Sequence, residues 1–211
     1  MADTSKPNII LSFDTTGSRD SIAVSIDGQI CTKWLPQGGS GLQSAILVPE
    51  MKQLLQNYGY DLCDVAVVCV LTGPGSFTGI RLGLATAQGL KLAVNCRIFA
   101  PTLLDLLLSL KENSAAVMDS RRKDYFVKMD GVISIMDVHQ VRQIAETKSI
   151  VSADLIPGVD AILPNDSIAS ELISLYGRTQ DRAHFKNLEP FYIRTPQFAK
   201  KKLFITRTIG A

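Results

Sequence analysis

The glycine-rich segment Gly73-Pro-Gly75-Ser76-Phe-Thr78-Gly79 follows an almost wholly apolar run and leads into a helix-forming stretch. A buried strand, a glycine turn and a helix N-terminus, in that order, present backbone N–H groups that can bind phosphate. A P-loop also needs a lysine followed by Ser or Thr, and a dinucleotide-binding loop needs an acidic residue about 20 positions later. Neither is present here. Phosphate binding and a purely structural turn therefore both stay open.

A second polar turn, Asp14-Thr15-Thr16, follows the first predicted strand. An aspartate next to two hydroxyl residues can hold phosphate and Mg²⁺, but an Asx turn that stabilises a hairpin uses the same residue types. The structural interpretation is favoured, because the glycines expected of a second ATP-binding motif are isolated: Gly131, Gly158 and Gly177.

No metal or nucleophile motif is recognised elsewhere. The four cysteines form no Cys-x-x-Cys pair, and His139 and His184 lie far from all of them in the sequence. We therefore predict no metal site. No serine or cysteine motif has an evident histidine base. Buried free thiols in a reducing compartment are the favoured interpretation of Cys31, Cys63, Cys69 and Cys96.

The helix after the glycine turn has charged or amide side chains only at Arg81, Gln88 and Lys91, which predicts burial on more than one side. Small residues recur every four positions at Gly79, Gly83 and Ala87, so they share one face that another helix could approach closely. Packing within the core and contact with a partner helix remain alternatives.

The composition is that of a soluble globular protein, with 211 residues, 46% hydrophobic and 20% charged. A net charge of +2 is too small to predict strong binding to nucleic acid. The start MADTSKPN has no apolar signal region, and the run Leu103–Leu110 is too short to span a membrane. We therefore expect a cytoplasmic protein without membrane contact.

Residue patterns predict an α/β chain. Strands are predicted at 9–13, 21–26, 29–35, 65–71, 115–118, 125–129, 132–135 and 161–163. Helices are predicted at 43–58, where Pro49 should bend the chain or mark a first turn, after Gly79, and at 101–111, 138–146 and 167–176.

Four motifs together resemble the TsaB (YeaZ) family, whose members are glycoprotease-like proteins of the actin-like ATPase superfamily. They are Asp14-Thr-Thr16, GPGSFTGIRLGLATAQGL from Gly73 to Leu90, Asp119-Ser-Arg121 and Glu189-Pro-Phe-Tyr-Ile-Arg194. The resemblance covers roughly residues 9–196. It implies two ribonuclease-H-like lobes with mixed sheets flanked by helices. We place the first lobe at 1–111, the second at 112–196 and a basic tail, for which disorder is one interpretation, at 197–211.

The resemblance further implies a non-catalytic subunit that binds and activates TsaD, which makes threonylcarbamoyladenosine next to the anticodon of tRNAs reading A-starting codons. TsaE completes the set, tRNA is contacted only through the complex, and the chain alone forms a homodimer. The complex uses ATP, while this chain alone is expected to need no cofactor. Helices of the first lobe would dock the partner, with the predicted docking residues Gly79, Ile80, Gly83, Leu84, Ala87, Leu47, Met51 and Leu54. Vestigial phosphate-loop positions would be Asp14, Thr15, Thr16, Gly73, Gly75, Ser76, Thr78 and Gly79.

The catalytic relative binds its metal through His-x-x-x-His on the helix that corresponds to 43–58, where this chain has no histidine. Two other functions remain open: a glycoprotease-like peptidase and a stand-alone ATP-dependent kinase of the same superfamily. The basic clusters Arg121-Arg-Lys123 and Lys200-Lys-Lys202 are either solvated or lend charge to a complex that holds tRNA.

Overall fold

The computed structural model describes residues 8–17, 19–36, 42–179 and 188–194. The predicted tail at 197–211, with its Lys200-Lys-Lys202 cluster, and His184 lie outside the described residues. The strands are β1 (Ile9–Asp14), β2 (Ser21–Ile26), β3 (Gln29–Trp34), β4 (Val65–Val70), β5 (Arg97–Phe99), β6 (Ser114–Asp119), β7 (Tyr125–Met129), β8 (Val132–Met136), β9 (Ser149–Ser152) and β10 (Ala161–Ile162). The helices are α1 (Leu42–Gln56), α2 (Phe77–Val94), α3 (Leu103–Ser109), α4 (Val138–Ala145) and α5 (Ile168–Arg178).

The strands form two five-stranded sheets of matching topology. The first sheet has the order β3-β2-β1-β4-β5 and the second the order β10-β9-β6-β7-β8. In each sheet three consecutive strands pair antiparallel, a later strand lies parallel beside the first of them, and a further strand lies parallel beside that one. This order and these directions confirm the prediction of two ribonuclease-H-like halves with mixed sheets.

The sheets and helices stack in layers because alternate strand side chains point to opposite faces. In β1, Ile9, Leu11 and Phe13 join the apolar cluster beneath α1 and α2, whereas Ile10 joins the cluster on the other face. That second cluster holds α3 and α5 between the two sheets. Helix α4 covers the outer face of the second sheet.

Helices α3 and α5 cross between the lobes. Helix α3 lies within the predicted first lobe, 1–111, yet packs on β6 of the second sheet. Helix α5 lies within the predicted second lobe, 112–196, yet packs on β1 and β2. Residue 111 therefore divides the two sheets but not the helices that join them.

Helix α2 has clear ends. Its N-cap is Ser76, whose Oγ accepts a hydrogen bond from the Gly79 N–H at 3.2 Å. It ends at Asn95, which takes the left-handed conformation at φ 54° and donates its N–H to the Lys91 carbonyl oxygen. In the described ranges, no helix has the length and apolar character needed to cross a bilayer.

Candidate functional site

The glycine turn and the Asp14 turn contact each other directly, and both also line a cleft between the lobes. The Ser76 N–H donates to the Thr16 carbonyl oxygen at 2.8 Å, and Thr15 Oγ1 donates to the Gly79 carbonyl oxygen at 2.7 Å. A Cβ atom on Gly75 would lie 2.7 Å from Thr16 Cβ, and one on Gly79 would lie 1.7 Å from the Thr15 carbonyl oxygen. These glycines are therefore required by the close contact between the turns, which supports the structural interpretation.

The first strand of each sheet, β1 or β6, ends in an Asx turn of the same kind. Asp14 Oδ1 accepts hydrogen bonds from the Thr16 N–H at 2.8 Å and from Thr16 Oγ1 at 2.7 Å. At the end of β6, Asp119 Oδ1 accepts from the Arg121 N–H at 2.7 Å. Burial raises the pKa of Asp14, and the hydrogen bonds from Thr16 offset part of that rise. Both aspartates thus hold their own backbone turns.

The two Asx turns face a cleft of about 530 Å³ between the lobes. Four aspartates and two arginines line it: Asp14, Asp119, Asp154, Asp166, Arg19 and Arg121. Arg121 is already paired, with Nη2 at 3.1 Å from Asp154 Oδ1, and the Arg19 guanidinium lies 4.1 Å from the centre of the Trp34 ring. When ionised, these carboxylates repel the phosphates of a nucleotide unless a divalent cation such as Mg²⁺ lies between them. Within the described ranges, no group of three or more His, Cys, Asp or Glu side chains could hold a metal ion.

The residues predicted to dock a partner are buried inside the first lobe, so the prediction that they form the docking surface is wrong. All eight are buried: Leu47, Met51, Leu54, Gly79, Ile80, Gly83, Leu84 and Ala87. A Cβ on Gly83 would meet Thr15 Oγ1 at 2.9 Å and Val70 Cγ2 at 3.3 Å. The small-residue face of α2 therefore packs on β1 and β4 of its own sheet, where the missing side chains let the helix approach the strands closely.

The solvent-facing sides of α1 and α2 carry exposed apolar and small residues among polar ones such as Gln88, and we call this surface the outer helical face. It consists of Leu42, Ala45 and Val48 on α1 and Thr78, Arg81, Ala85, Gly89 and Leu92 on α2. The Leu92 side chain is 82% exposed, and a Cβ on Gly89 would meet no atom within 4 Å. The sequence alone could have indicated this second face, since Ala85, Gly89 and Leu92 are spaced to lie on one side of a helix. The spacing alone does not say which of the two faces the sheet covers.

The motif Glu189–Arg194 joins this region to the second lobe. The Phe191 N–H donates to the Thr72 carbonyl oxygen at 2.8 Å, and the Tyr192 ring stacks on Phe77 with centroids 5.5 Å apart. Arg194 Nη1 donates to Asp124 Oδ1 at 3.1 Å. Hydrogen bonds from Arg194 and then Ser120 lower the pKa of Asp124. The segment therefore fixes the start of α2 relative to the second sheet.

Similarity to known proteins identifies the family. A family model described as TsaD, tRNA N6-adenosine threonylcarbamoyltransferase, matches residues 35–162, which is more than half of the chain. The chain belongs to this family. The tRNA threonylcarbamoyladenosine biosynthesis protein TsaB of Buchnera aphidicola from Schizaphis graminum is 33% identical over 100 residues, 47% of each chain. The TsaB protein of Escherichia coli is 34% identical over 83 residues, 39% of this chain and 35% of the relative. The chain thus spans half or less of the length of these curated relatives.

Solved structures share the fold. YeaZ from Pseudomonas aeruginosa superimposes with a TM-score of 0.63 at 19% identity, covering 88% of this chain and 100% of YeaZ. A second Pseudomonas aeruginosa protein, described as similar to the peptidase YeaZ, gives a TM-score of 0.64 at 20% identity, covering 89% of this chain and 100% of that one. The TsaB (YeaZ) resemblance and the two-lobed α/β fold predicted from the motifs are therefore confirmed.

Proposed function

We propose that this chain is a non-catalytic subunit of the complex that makes threonylcarbamoyladenosine in tRNA, and that it binds and activates TsaD. Relatives named as TsaB biosynthesis proteins support the pathway. TsaE is the further partner, ATP is used by the complex, tRNA is contacted through the complex, and this chain needs no cofactor of its own. Its place of action is the cytoplasm.

The observation that carries the proposal is the outer helical face. An uncovered apolar patch on two neighbouring helices is typical of a protein interface. Ala85 and Gly89 have short side chains, so a partner helix can approach α2 closely there, and Leu92 offers an apolar anchor. The partner is TsaD. In its absence the same face joins two copies of this chain as a homodimer with two-fold symmetry.

The arrangement of the described residues gives less support to a kinase or a peptidase. A kinase would need free donors for nucleotide phosphates in the cleft, but the Ser76 N–H already donates to Thr16 and Arg121 already pairs with Asp154. A peptidase needs a nucleophile with a nearby base, but the one histidine in the described ranges, His139, lies exposed on α4 and does not line the cleft.

Reconstitution tests the proposal. TsaD, TsaE, ATP and the other substrates are incubated with tRNA, with and without this chain, and modified adenosine is measured by mass spectrometry. We expect modification to depend on this chain, and we expect the chain alone to show no ATPase or peptidase activity. Full modification without it contradicts the proposed function. Turnover by the chain alone that Asp14→Ala abolishes favours the kinase or peptidase instead.

A further inference from the structure

Arg81 is held in a fixed position on the outer helical face. Its guanidinium carbon lies 3.9 Å from the centre of the Phe77 ring, and its Nε donates to the Tyr192 hydroxyl at 3.3 Å. Phe77 in turn stacks on Tyr192. A cation over an aromatic ring is attracted by the electrons of the ring face. Stacking and the hydrogen bond together restrict a side chain that would otherwise be free in solvent.

The charge of Arg81 has no carboxylate partner within the described part of the chain. None of the ion pairs found there includes it. It borders a groove of about 460 Å³ between the starts of α1 and α2, which Gln43, Ser44, Thr78 and Leu82 also line. An oriented guanidinium with unused N–H donors suits a carboxylate, because two parallel hydrogen bonds can form.

A second copy of this chain does not supply that carboxylate from the same surface. Helix α2 contains no Asp or Glu. Helix α1 contains only Glu50, which pairs with Lys33 of β3. A homodimer through the outer helical faces would therefore bring like charges together, whereas a partner helix with an acidic residue would complement Arg81.

We propose that Arg81 pairs with an aspartate or glutamate on the TsaD helix that packs on the outer helical face, and that Tyr192 is its positioning residue. This inference rests on the proposed function. The motif Glu189–Arg194 then serves to bring Tyr192 against Arg81 at the start of α2. TsaD is therefore a stronger partner for this face than a second copy of the chain.

Titration of TsaD with purified variants at several salt concentrations tests the proposal. We expect Arg81→Ala to weaken binding by about ten- to a hundred-fold, the range for a hydrogen bond to a charged group, and to reduce the salt dependence of the affinity. Arg81→Lys should retain most of the salt dependence. Tyr192→Phe keeps the stacked ring, so it should weaken binding only about three-fold, by loosening Arg81. Arg97→Ala, at an exposed arginine of β5, is the matched control and should bind like wild type.

A charge swap identifies the partner residue. Arg81→Glu should lose binding, and replacing one acidic residue on a docking helix of TsaD with lysine should restore it, as a double-mutant cycle requires. If Arg81→Ala binds TsaD with wild-type affinity and salt dependence while Leu92→Glu does not bind, this inference is wrong and the proposed function stands. If wild-type protein does not bind TsaD, both are wrong.

Discussion

Gly79 and Gly89 belong to the same helix, but Gly79 is packed against a neighbouring turn and Gly89 faces open space. A Cβ on Gly79 would collide with the Thr15 carbonyl oxygen, whereas a Cβ on Gly89 would stand in open space. We expect Gly79→Ala to reduce the free energy of unfolding by about 3 kcal/mol or more, because the strand and helix must move apart. Gly89→Ala should raise it by about 1 kcal/mol, the difference in helix propensity.

Urea denaturation of both variants and the wild type measures these changes. The two substitutions are chemically identical and lie in the same helix, so each is the control for the other. Equal effects would contradict the close contact between the Asp14 turn and the glycine turn.

Asp20 is a buried carboxylate that accepts at most one weak hydrogen bond within the described residues, from the Gln43 amide. Burial and then the charge of Asp14 raise its pKa to about 6, and the Gln43 amide offsets part of the rise. The folded protein therefore binds the proton more tightly than the unfolded chain, whose Asp has a pKa near 3.8. Ionisation of Asp20 therefore lowers the free energy of unfolding. The whole loss is present above about pH 6, and it disappears as the pH falls below the pKa of the unfolded chain.

Asp20→Asn removes this charge. We expect it to raise the free energy of unfolding at pH 7.5 by about 1–2 kcal/mol, less than the full two-unit pKa difference because solvent screens part of the charge, and to give no gain at pH 3.5. Chemical denaturation at both pH values checks the sign. A variant less stable than wild type at pH 7.5 would show that the carboxylate makes a favourable contact in the native state.

At the scale of elements, α2 has two different faces. Gly83 faces β1 and β4, so Gly83→Leu forces four carbons into packed space and should lower the melting temperature through a loss of about 1–3 kcal/mol. Leu92 faces outward, so Leu92→Glu should leave the melting temperature unchanged. Differential scanning calorimetry separates the two. A Gly83→Leu protein that melts at or above the wild-type temperature would mean that the small-residue face is not packed.

Sequence patterns predicted the longer elements but not which face of α2 is covered. The hairpin β1–β2, the buried strand β4 and helices α1 and α5 have clear periodicity and were predicted close to their observed bounds. Strands β5 and β9 have three and four residues, too few for a periodic signal, and were missed. The face of α2 was predicted wrongly because the helix is apolar or small on nearly all sides. Only the strands that pack on it decide which face is buried.

At the scale of the whole molecule, the lobes are joined by exchanged helices and by the returning segment Glu189–Arg194. Helices α3 and α5 share one apolar cluster with both sheets, and Tyr192 and Arg194 tie the start of α2 to the second lobe. The start of α2 is therefore held by contacts from both lobes, which favours preorganised side chains at this end of the outer helical face. Such preorganisation reduces the entropy lost on binding.

The most direct test of the docking surface compares two leucines of nearly equal exposure. Leu92 on α2 is 82% exposed and Leu155 in the second lobe is 84% exposed. Isothermal titration of TsaD with Leu92→Glu and Leu155→Glu measures whether the outer helical face is the docking surface. We predict that Leu92→Glu weakens TsaD binding by about a hundred-fold, as expected for a charge buried without a partner, and that Leu155→Glu binds like wild type. Equal affinity of Leu92→Glu and wild type, in a protein that still folds, would contradict the account.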